Sequence, residues 1–279
     1  MKIFDCFMYF DEDIVLDVRL NTLHENVDYF VIVESKFTHK GEKKNLKFDF
    51  KKFSKFKDKI IYLVYDNQPS KVESVNENDT EDEKSTKYIF NAIHRENGQR
   101  NFILEGLKEA DDDDYIIISD VDEIPDLKKL RNLQNNKFTV FQQKMFYYKL
   151  NLLNSTEPFW YGSKICKKKH LKSPQWLRDQ KVKNYPFWKF YKIKWNIVKD
   201  GGWHFSFLMD AKQIKSKLES YAHAEFNNKN FNTSEKINTS LENQVDLFDR
   251  KIEFEKIVFD ETFPQYILNN KEKYKNWIL

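Results

Sequence analysis

The sequence predicts an α/β fold built on a mainly parallel sheet, with an aromatic-rich and partly helical C-terminal half. Three short runs of apolar residues, at 29–33, 60–65 and 115–118, support this prediction. Continuous apolar runs of this length are typical of parallel strands that are buried on both faces of a sheet. Helical patterns lie between the runs, and strands that alternate with helices form sheets covered on both sides.

The N-terminal half begins with a further strand and an amphipathic helix. Residues 3–10 form the first apolar run, and apolar residues recur at helical spacing over 14–23. A second helix is predicted over about 84–110, before the strand at 115–118. Residues 66–85 are polar and acidic without apolar periodicity, which predicts a long loop.

The C-terminal half has a different pattern. Over 138–207, short aromatic runs are interrupted by prolines, and five of the six tryptophans lie there, which predicts irregular strands and loops. Helices are predicted over 210–221 and 233–249, with Asp210 and Ser234 as N-cap residues. We expect one domain in two parts, 1–137 and 138–279.

The composition indicates a folded protein and excludes several classes of function. Hydrophobic residues make up 40% of the chain and charged residues 33%, which is typical of globular proteins. The 47 basic and 44 acidic residues leave a net charge of +3, whereas nucleic-acid-binding proteins carry a concentrated basic excess. Cys6 and Cys166 are the only cysteines, so we expect no disulfide framework and a reducing compartment. Because no apolar run has membrane-spanning length, we expect no transmembrane segment and a cytoplasmic protein, at most peripheral to a membrane.

The sharpest feature is the pair Asp120 and Asp122, which follows the apolar run at 115–118. Open α/β sheets bind ligands at the carboxyl ends of their strands. Alternation along the strand would place both carboxylates on one side, where Mn²⁺ or Mg²⁺ would bridge them to a diphosphate. The pair therefore predicts a metal-diphosphate site, although an acidic pair by itself also fits a solvated turn.

Several segments together resemble glycosyltransferase family 17. They lie in order along most of the chain, at residues 27–35, 99–100, 119–125, 202–206, 217–225 and 246–250. The resemblance implies a GT-A-type, Rossmann-like fold and an inverting transfer from a nucleotide sugar, with UDP-N-acetylglucosamine as the donor. Residues 1–137 would be the nucleotide-sugar-binding part and 138–279 the acceptor-side part. The acceptor is not fixed by the resemblance, and we expect a bacterial or viral surface glycan, such as a lipid-linked one.

The resemblance also implies roles for residues near the donor. Glu34 and Ser35 would contact the nucleoside, although Glu34 also fits an exposed loop carboxylate. Arg100 would hold a phosphate or the donor base, and Asp120 would share in binding the nucleotide sugar. A simple ion pair between Arg100 and Glu96, one helical turn earlier, is the competing interpretation.

His204 is the predicted third metal ligand, beside Asp120 and Asp122. It follows Gly201 and Gly202, which permit close approach of the backbone, and a neutral imidazole there could complete the metal shell. A histidine that only makes a structural hydrogen bond is the alternative.

An inverting transfer needs a base beside the acceptor hydroxyl. Glu123, Asp179 and Asp210 are candidates, and the sequence does not choose among them. Trp160 and Trp203 are predicted acceptor contacts, since flat rings stack on sugar faces, but core packing accounts for many tryptophans equally well.

Two other functions compete with this one. A haloacid-dehalogenase-like phosphohydrolase would use Asp120 as a nucleophile, but its motif normally lies near the N-terminus and has Thr or Val where Ile124 stands. A non-catalytic carbohydrate-binding protein fits the tryptophan cluster but gives no purpose to the aspartate pair and His204. A glycosyltransferase is therefore the predicted function.

Overall fold

The computed structural model describes residues 1–130, 133–183, 186, 188, 192–220 and 231–279. Within these residues the strands are β1 Ile3–Tyr9, β2 Tyr29–Ser35, β3 Ile60–Tyr65, β4 Tyr115–Ile118, β5 Glu123–Pro125, β6 Phe138–Tyr147, β7 Leu152–Asn154, β8 Phe159–Lys167, β9 Asn196–Val198, β10 Gly202–Ser206 and β11 Phe254–Lys256. The helices are α1 Asp13–Leu23, α2 Glu81–Asn101, α3 Pro174–Asp179, α4 Ala211–Ser220, α5 Ser234–Asn243 and α6 Gln265–Asn269. Short 3-10 helices lie at Ser54–Phe56, Phe102–Leu107, Leu127–Lys129, Leu133–Asn135, Lys168–His170 and Lys271–Trp277.

All of these strands belong to one sheet, so the predicted α/β class is confirmed. The main path is β11-β7-β6-β8-β4-β1-β2-β3, while β10 pairs with β5 and β6, and β9 pairs with β6. The strands β4, β1, β2 and β3 are parallel to one another. Beyond β4 the strands β8, β6, β7 and β11 alternate in direction. The sheet is thus mixed rather than mainly parallel, because strands joined by short hairpin connections such as β6 to β7 must run antiparallel.

The predicted boundaries are most accurate in the N-terminal half. The strands β1, β3 and β4 match the apolar runs within a residue. The helix α2 starts at Glu81 rather than 84, because Thr80 and Glu83 form a capping box in which each side chain bonds the other's backbone N–H. Asp210 accepts a hydrogen bond from the backbone of Gln213 at 2.8 Å, as an N-cap should, whereas α5 is capped by Thr233 and not by Ser234.

The irregular structure predicted over 138–207 is wrong for two segments of that range, whereas β7, β9 and β10 are short strands of 3, 3 and 5 residues. The strands β6 and β8 are 10 and 9 residues long and pair with each other along their length. Because β8 also pairs with β4, the sheet runs without a break across residue 137. The helix α4 ends at Ser220. Residues 221–230 lie outside the described residues, and they include the last part of the segment 217–225 that the sequence analysis singles out.

The core lies on both faces of the sheet. Alternate residues of β1 divide between two buried clusters, Phe7 on the side of α1 and Phe4 and Cys6 on the side of Phe102–Leu107. A third cluster joins the end of β6 to α4 and α5. No helix in the described part of the chain is long and apolar enough to cross a membrane.

Candidate active site

Two adjoining cavities lie at the carboxyl ends of β1, β2 and β4, where open α/β sheets bind ligands. The small cavity has a volume of about 100 Å³ and the large cavity about 630 Å³. Both are lined by Glu96, Arg100, Asp120, Asp122 and Lys217, which therefore stand between them. We call the two cavities together the cleft.

The aspartate pair lies in a turn and not on a strand. β4 ends at Ile118, and the backbone N–H of Glu123 donates to the carbonyl of Asp120 at 3.0 Å. The expectation that strand alternation aligns the carboxylates is therefore wrong. The turn nevertheless brings Asp120 and Asp122 to both cavities, because it reverses the chain at the mouth of the cleft.

A fully buried arginine binds the backbone carbonyls of this turn. Nη1 of Arg19, on α1, donates to the carbonyl oxygens of Asp120, Val121 and Glu123 at 3.1, 3.2 and 2.6 Å. Its Nε and Nη2 bind the carboxylate of Asp5, on β1, at 2.8 and 2.5 Å. Sequence reasoning missed this pair, although an Asp inside an apolar strand and an Arg on the apolar face of a helix were visible signals.

The carboxylate of Asp120 bridges two arginines. Oδ1 accepts from Nη2 of Arg100 at 3.1 Å, and Oδ2 accepts from Nη2 of Arg178 at 2.6 Å. Burial would raise the pKa of Asp120, but the charges of Arg178 and Arg100 outweigh it and hold that pKa well below its ordinary value. Arg100 also makes the predicted ion pair with Glu96, at 3.0 Å, so its two proposed roles are not exclusive. Arg178, on α3, was not identified from the sequence.

His204 stands beside Asp122. Its Nε2 lies 3.5 Å from Oδ1 of Asp122, and its Nδ1 is buried without a hydrogen-bond partner among the described residues. Burial lowers the pKa of His204, but the Asp122 carboxylate outweighs burial, so that the net shift is upward. The same contact lowers the pKa of Asp122 against the effect of its burial. The contact therefore favours a protonated imidazole beside an ionised carboxylate, whereas metal binding would need the neutral imidazole that we expected.

Gly202 allows β10 to lie close to β5 and to the turn before it. It has a φ of +134°, and a Cβ at this position would lie 2.2 Å from the carbonyl oxygen of Ile124. β10 pairs with β5 on one side and β6 on the other, and Phe205 donates its N–H to the carbonyl of Asp122 at 2.9 Å. The glycine thus fixes His204 at a set distance from the turn.

The donor atoms of Asp122 and His204 fit a divalent cation in part. Within the described residues no group of three or more His, Cys, Asp or Glu side chains is arranged to hold a metal ion. The imidazole of His204, whose Nε2 lies 3.5 Å from Asp122, and the Asp122 carboxylate offer two ligands in the cleft, while both oxygens of Asp120 accept hydrogen bonds from arginines. Mg²⁺ sites that are completed by substrate phosphates need only one or two carboxylates from the protein, so the residues fit a cation of that kind.

Of the three candidate bases, only Asp179 presents an exposed carboxylate to the cleft. It lies at the end of α3, lines the large cavity and accepts one hydrogen bond, from Gln175 at 2.8 Å. Glu123 is fully buried, and its carboxylate accepts from Trp160, Arg178 and the backbone of Asp120 at 2.6, 2.9 and 3.0 Å. Asp210 caps α4 and is not among the residues that line the cleft.

The two predicted tryptophan contacts are separated by the sheet. Trp160 is 40% exposed and lines the large cavity, where its ring lies 5.8 Å from that of His204. Trp203 is 6% exposed, and its Nε1 donates to the carbonyl of Thr262 at 3.0 Å. Because side chains alternate along β10, Trp203 points away from the face that carries His204, and it packs in the core.

Glu34 and Ser35 do not face the cleft directly. Glu34 is fully buried, and its oxygens accept from Lys44, Tyr62 and the backbone of residues 47 and 48 at 2.7–3.0 Å. The hydroxyl of Ser35 accepts from the N–H of Phe37. The small cavity just beyond them is instead lined by aromatic and polar side chains, Tyr9, Phe10, Phe37, Thr38, His39 and Gln99.

Comparison with known proteins identifies the family of the chain. A family model described as glycosyltransferase family 17 matches residues 1–278, which is essentially the whole chain. A search of curated proteins finds no match. The family resemblance predicted from the sequence motifs is therefore confirmed.

Proposed function

The chain belongs to glycosyltransferase family 17, and on that premise we propose that it is a metal-dependent, inverting enzyme of GT-A type. It transfers N-acetylglucosamine from UDP-N-acetylglucosamine to a glycan acceptor. The observation that carries this proposal is the turn at Asp120 and Asp122, which faces a cleft together with Arg100 and His204. The phosphohydrolase and carbohydrate-binding alternatives have no comparable support.

Asp122 and His204 would hold Mn²⁺ or Mg²⁺, with Asp120 as the third protein ligand. The cation would neutralise charge on the departing diphosphate. A metal ligand needs the neutral imidazole, whereas the contact with Asp122 favours the protonated ring, so cation binding would compete with that contact. Arg100, which lines both cavities, contacts the diphosphate through its guanidinium group.

The nucleoside fits the small cavity, where aromatic rings and polar side chains are combined. Burial lowers the pKa of His39 there, so its ring is neutral at neutral pH and can accept or donate a hydrogen bond. Glu34 and Ser35 act on this cavity indirectly, by fixing the backbone after β2.

The acceptor enters the large cavity, with Trp160 as a stacking surface and Asp179 as the general base. Glu123 is fully buried and holds Trp160 and Arg178 in place through its hydrogen bonds, so it does not face the acceptor. We propose a surface or lipid-linked glycan as acceptor, no nucleic-acid partner, and a cytoplasmic location peripheral to a membrane.

The assignment of the base is tested with a matched pair of variants. Asp179→Asn should lower kcat by about 10²–10⁴-fold, the usual contribution of a general base. Asp210→Asn is the control, since it removes the charge of the other exposed candidate, and Asn caps helices as well as Asp does. Equal rates for wild type and Asp179→Asn would refute this role.

A further inference from the structure

The two arginines that bind Asp120 have hydrogen-bonding capacity to spare. Arg100 is 3% exposed, and its Nε is buried without a partner among the described residues. Arg178 uses only Nη2 of its guanidinium nitrogens in the hydrogen bonds found within that part of the chain. Each guanidinium group is a planar fork of five donors that matches carboxylate and phosphate oxygens. The pair can therefore bind a larger anion than one carboxylate.

Both arginines are held in place by groups other than Asp120. Arg100 donates to Gln175 at 2.5 Å and to Glu96 at 3.0 Å. Arg178 donates to the buried carboxylate of Glu123 at 2.9 Å. If Asp120 moved away, the two guanidinium groups would keep these bonds and stay at the wall of the large cavity.

The side chain of Asp120 is 34% exposed, whereas those of Arg100 and Arg178, which it binds, are 4% and 15% exposed. Its two oxygens each accept a hydrogen bond from a different arginine, so the carboxylate is held between the guanidinium groups while both bonds last. A carboxylate that bridges two guanidinium groups has the charge and the oxygen spacing of part of a phosphoryl group.

We infer, resting on the proposed function, that Arg100 and Arg178 form an anion clamp for the donor's diphosphate and that Asp120 occupies this clamp in the empty enzyme. Asp120 leaves the clamp when it turns toward a cation, and the diphosphate takes its place between the guanidinium groups. Cation and nucleotide then bind cooperatively, and each strengthens the other by the same factor. Without a cation, Asp120 competes with the anion for the same donors.

Inorganic pyrophosphate is the probe, because it carries two phosphoryl groups and neither nucleoside nor sugar. Its affinity is measured by calorimetry in EDTA for the wild type, Asp120→Asn and Asp120→Ala. Both variants should bind it at least about tenfold more tightly than the wild type, since charge-assisted donors are released. In the double variant Asp120→Asn with Arg178→Gln, the affinity should return to the wild-type level.

Two controls separate the clamp from a general effect of charge and from misfolding. Asp179→Asn removes the same unit of charge from the same cavity but frees neither arginine, so it should not tighten pyrophosphate binding. Asp120→Asn keeps an uncharged acceptor and guards against misfolding of the alanine variant, in which two nearly buried guanidinium groups lose a partner. Unchanged metal-free affinity in folded Asp120→Asn, or equal tightening in Asp179→Asn, would overturn the clamp.

The proposed function is tested apart from the clamp by titrating the wild type with UDP and Mn²⁺. Absence of UDP binding there would refute the donor assignment, whereas the pyrophosphate series would still decide whether Asp120 blocks an anion site.

Discussion

Arg19 offers the sharpest test of how the Asp120–Glu123 turn is held. Arg19→Met leaves the carboxylate of Asp5 fully buried without its partner. Removing one member of a buried ion pair costs about 3–5 kcal/mol of unfolding free energy. Replacing both members, in Asp5→Val with Arg19→Met, removes the unpaired charge and should recover at least about 2 kcal/mol of that loss.

The double variant should remain less stable than the wild type, because the carbonyls of the turn have lost Arg19 as a hydrogen-bond donor. The carbonyl of Glu123 keeps its bond from Ser163 at 2.9 Å, and that of Asp120 keeps the turn bond. For Val121, the bond from Arg19 is the one recorded among the described residues, and an unsatisfied buried carbonyl costs about 1–3 kcal/mol. Unfolding in urea measures these differences.

The affinity for UDP with Mn²⁺ shows whether Arg19 positions the turn or only stabilises the fold. Groups that orient metal ligands typically contribute about 10–100-fold to metal affinity, so both variants should bind UDP with Mn²⁺ more weakly by about this factor. Leu16→Ala is the matched control, because Leu16 lies on the same helix and is fully buried, and its loss should cost about 2–5 kcal/mol without removing a hydrogen bond to the turn. If the double variant bound UDP and Mn²⁺ as the wild type does, Arg19 would have no positioning role.

Three further outcomes are expected. Gly202→Ala should weaken UDP–Mn²⁺ binding and lower the melting temperature, because its Cβ would collide with the carbonyl of Ile124, and wild-type behaviour would contradict this. Glu34→Gln should lose about 1–3 kcal/mol of unfolding free energy and weaken UDP binding only through Lys44 and the backbone that Glu34 holds beside the small cavity; a loss of UDP affinity without any loss of stability would restore Glu34 as a nucleoside contact. Stability from the pair His204–Asp122 should be fully present below the ordinary pKa of His204, 6.5, and be lost as pH rises through its raised folded-state pKa. His204→Gln should flatten the stability profile above pH 6.5, and an unchanged slope would exclude the ion pair.

The parts of the fold that the sequence predicts well are those set by local patterns. β3 and β4 coincide with apolar runs, and Asp210 caps α4 as its position before the helix suggests. The C-terminal strands depend on pairing between distant segments, such as β10 with both β5 and β6, which no local pattern encodes. The tryptophan and proline content of 138–207 concealed two long, regular strands for this reason.

In the candidate site, too, the residues within local motifs were predicted and those brought in from distant segments were not. Asp120, Asp122 and His204 were found from motifs, and the structure brings them to one cleft. Arg178 and Arg19 were missed, because they reach the turn from 58 and 101 residues away from Asp120 along the chain. Trp203 and His204 were both assigned to the site, as acceptor contact and metal ligand, yet alternation along β10 places their side chains on opposite faces of the sheet.

The most direct test of the central claim is turnover of a panel of UDP- and GDP-sugars by the purified protein with Mn²⁺, followed by NMR of the released sugar. We expect UDP-N-acetylglucosamine to be consumed, with the β-anomer formed first, because an inverting enzyme attacks the face opposite the departing diphosphate. EDTA or Asp122→Ala should abolish turnover, since the cation neutralises charge on the leaving group. Turnover that persists in EDTA, an α-anomer formed first, or consumption of a GDP-sugar alone would contradict the account.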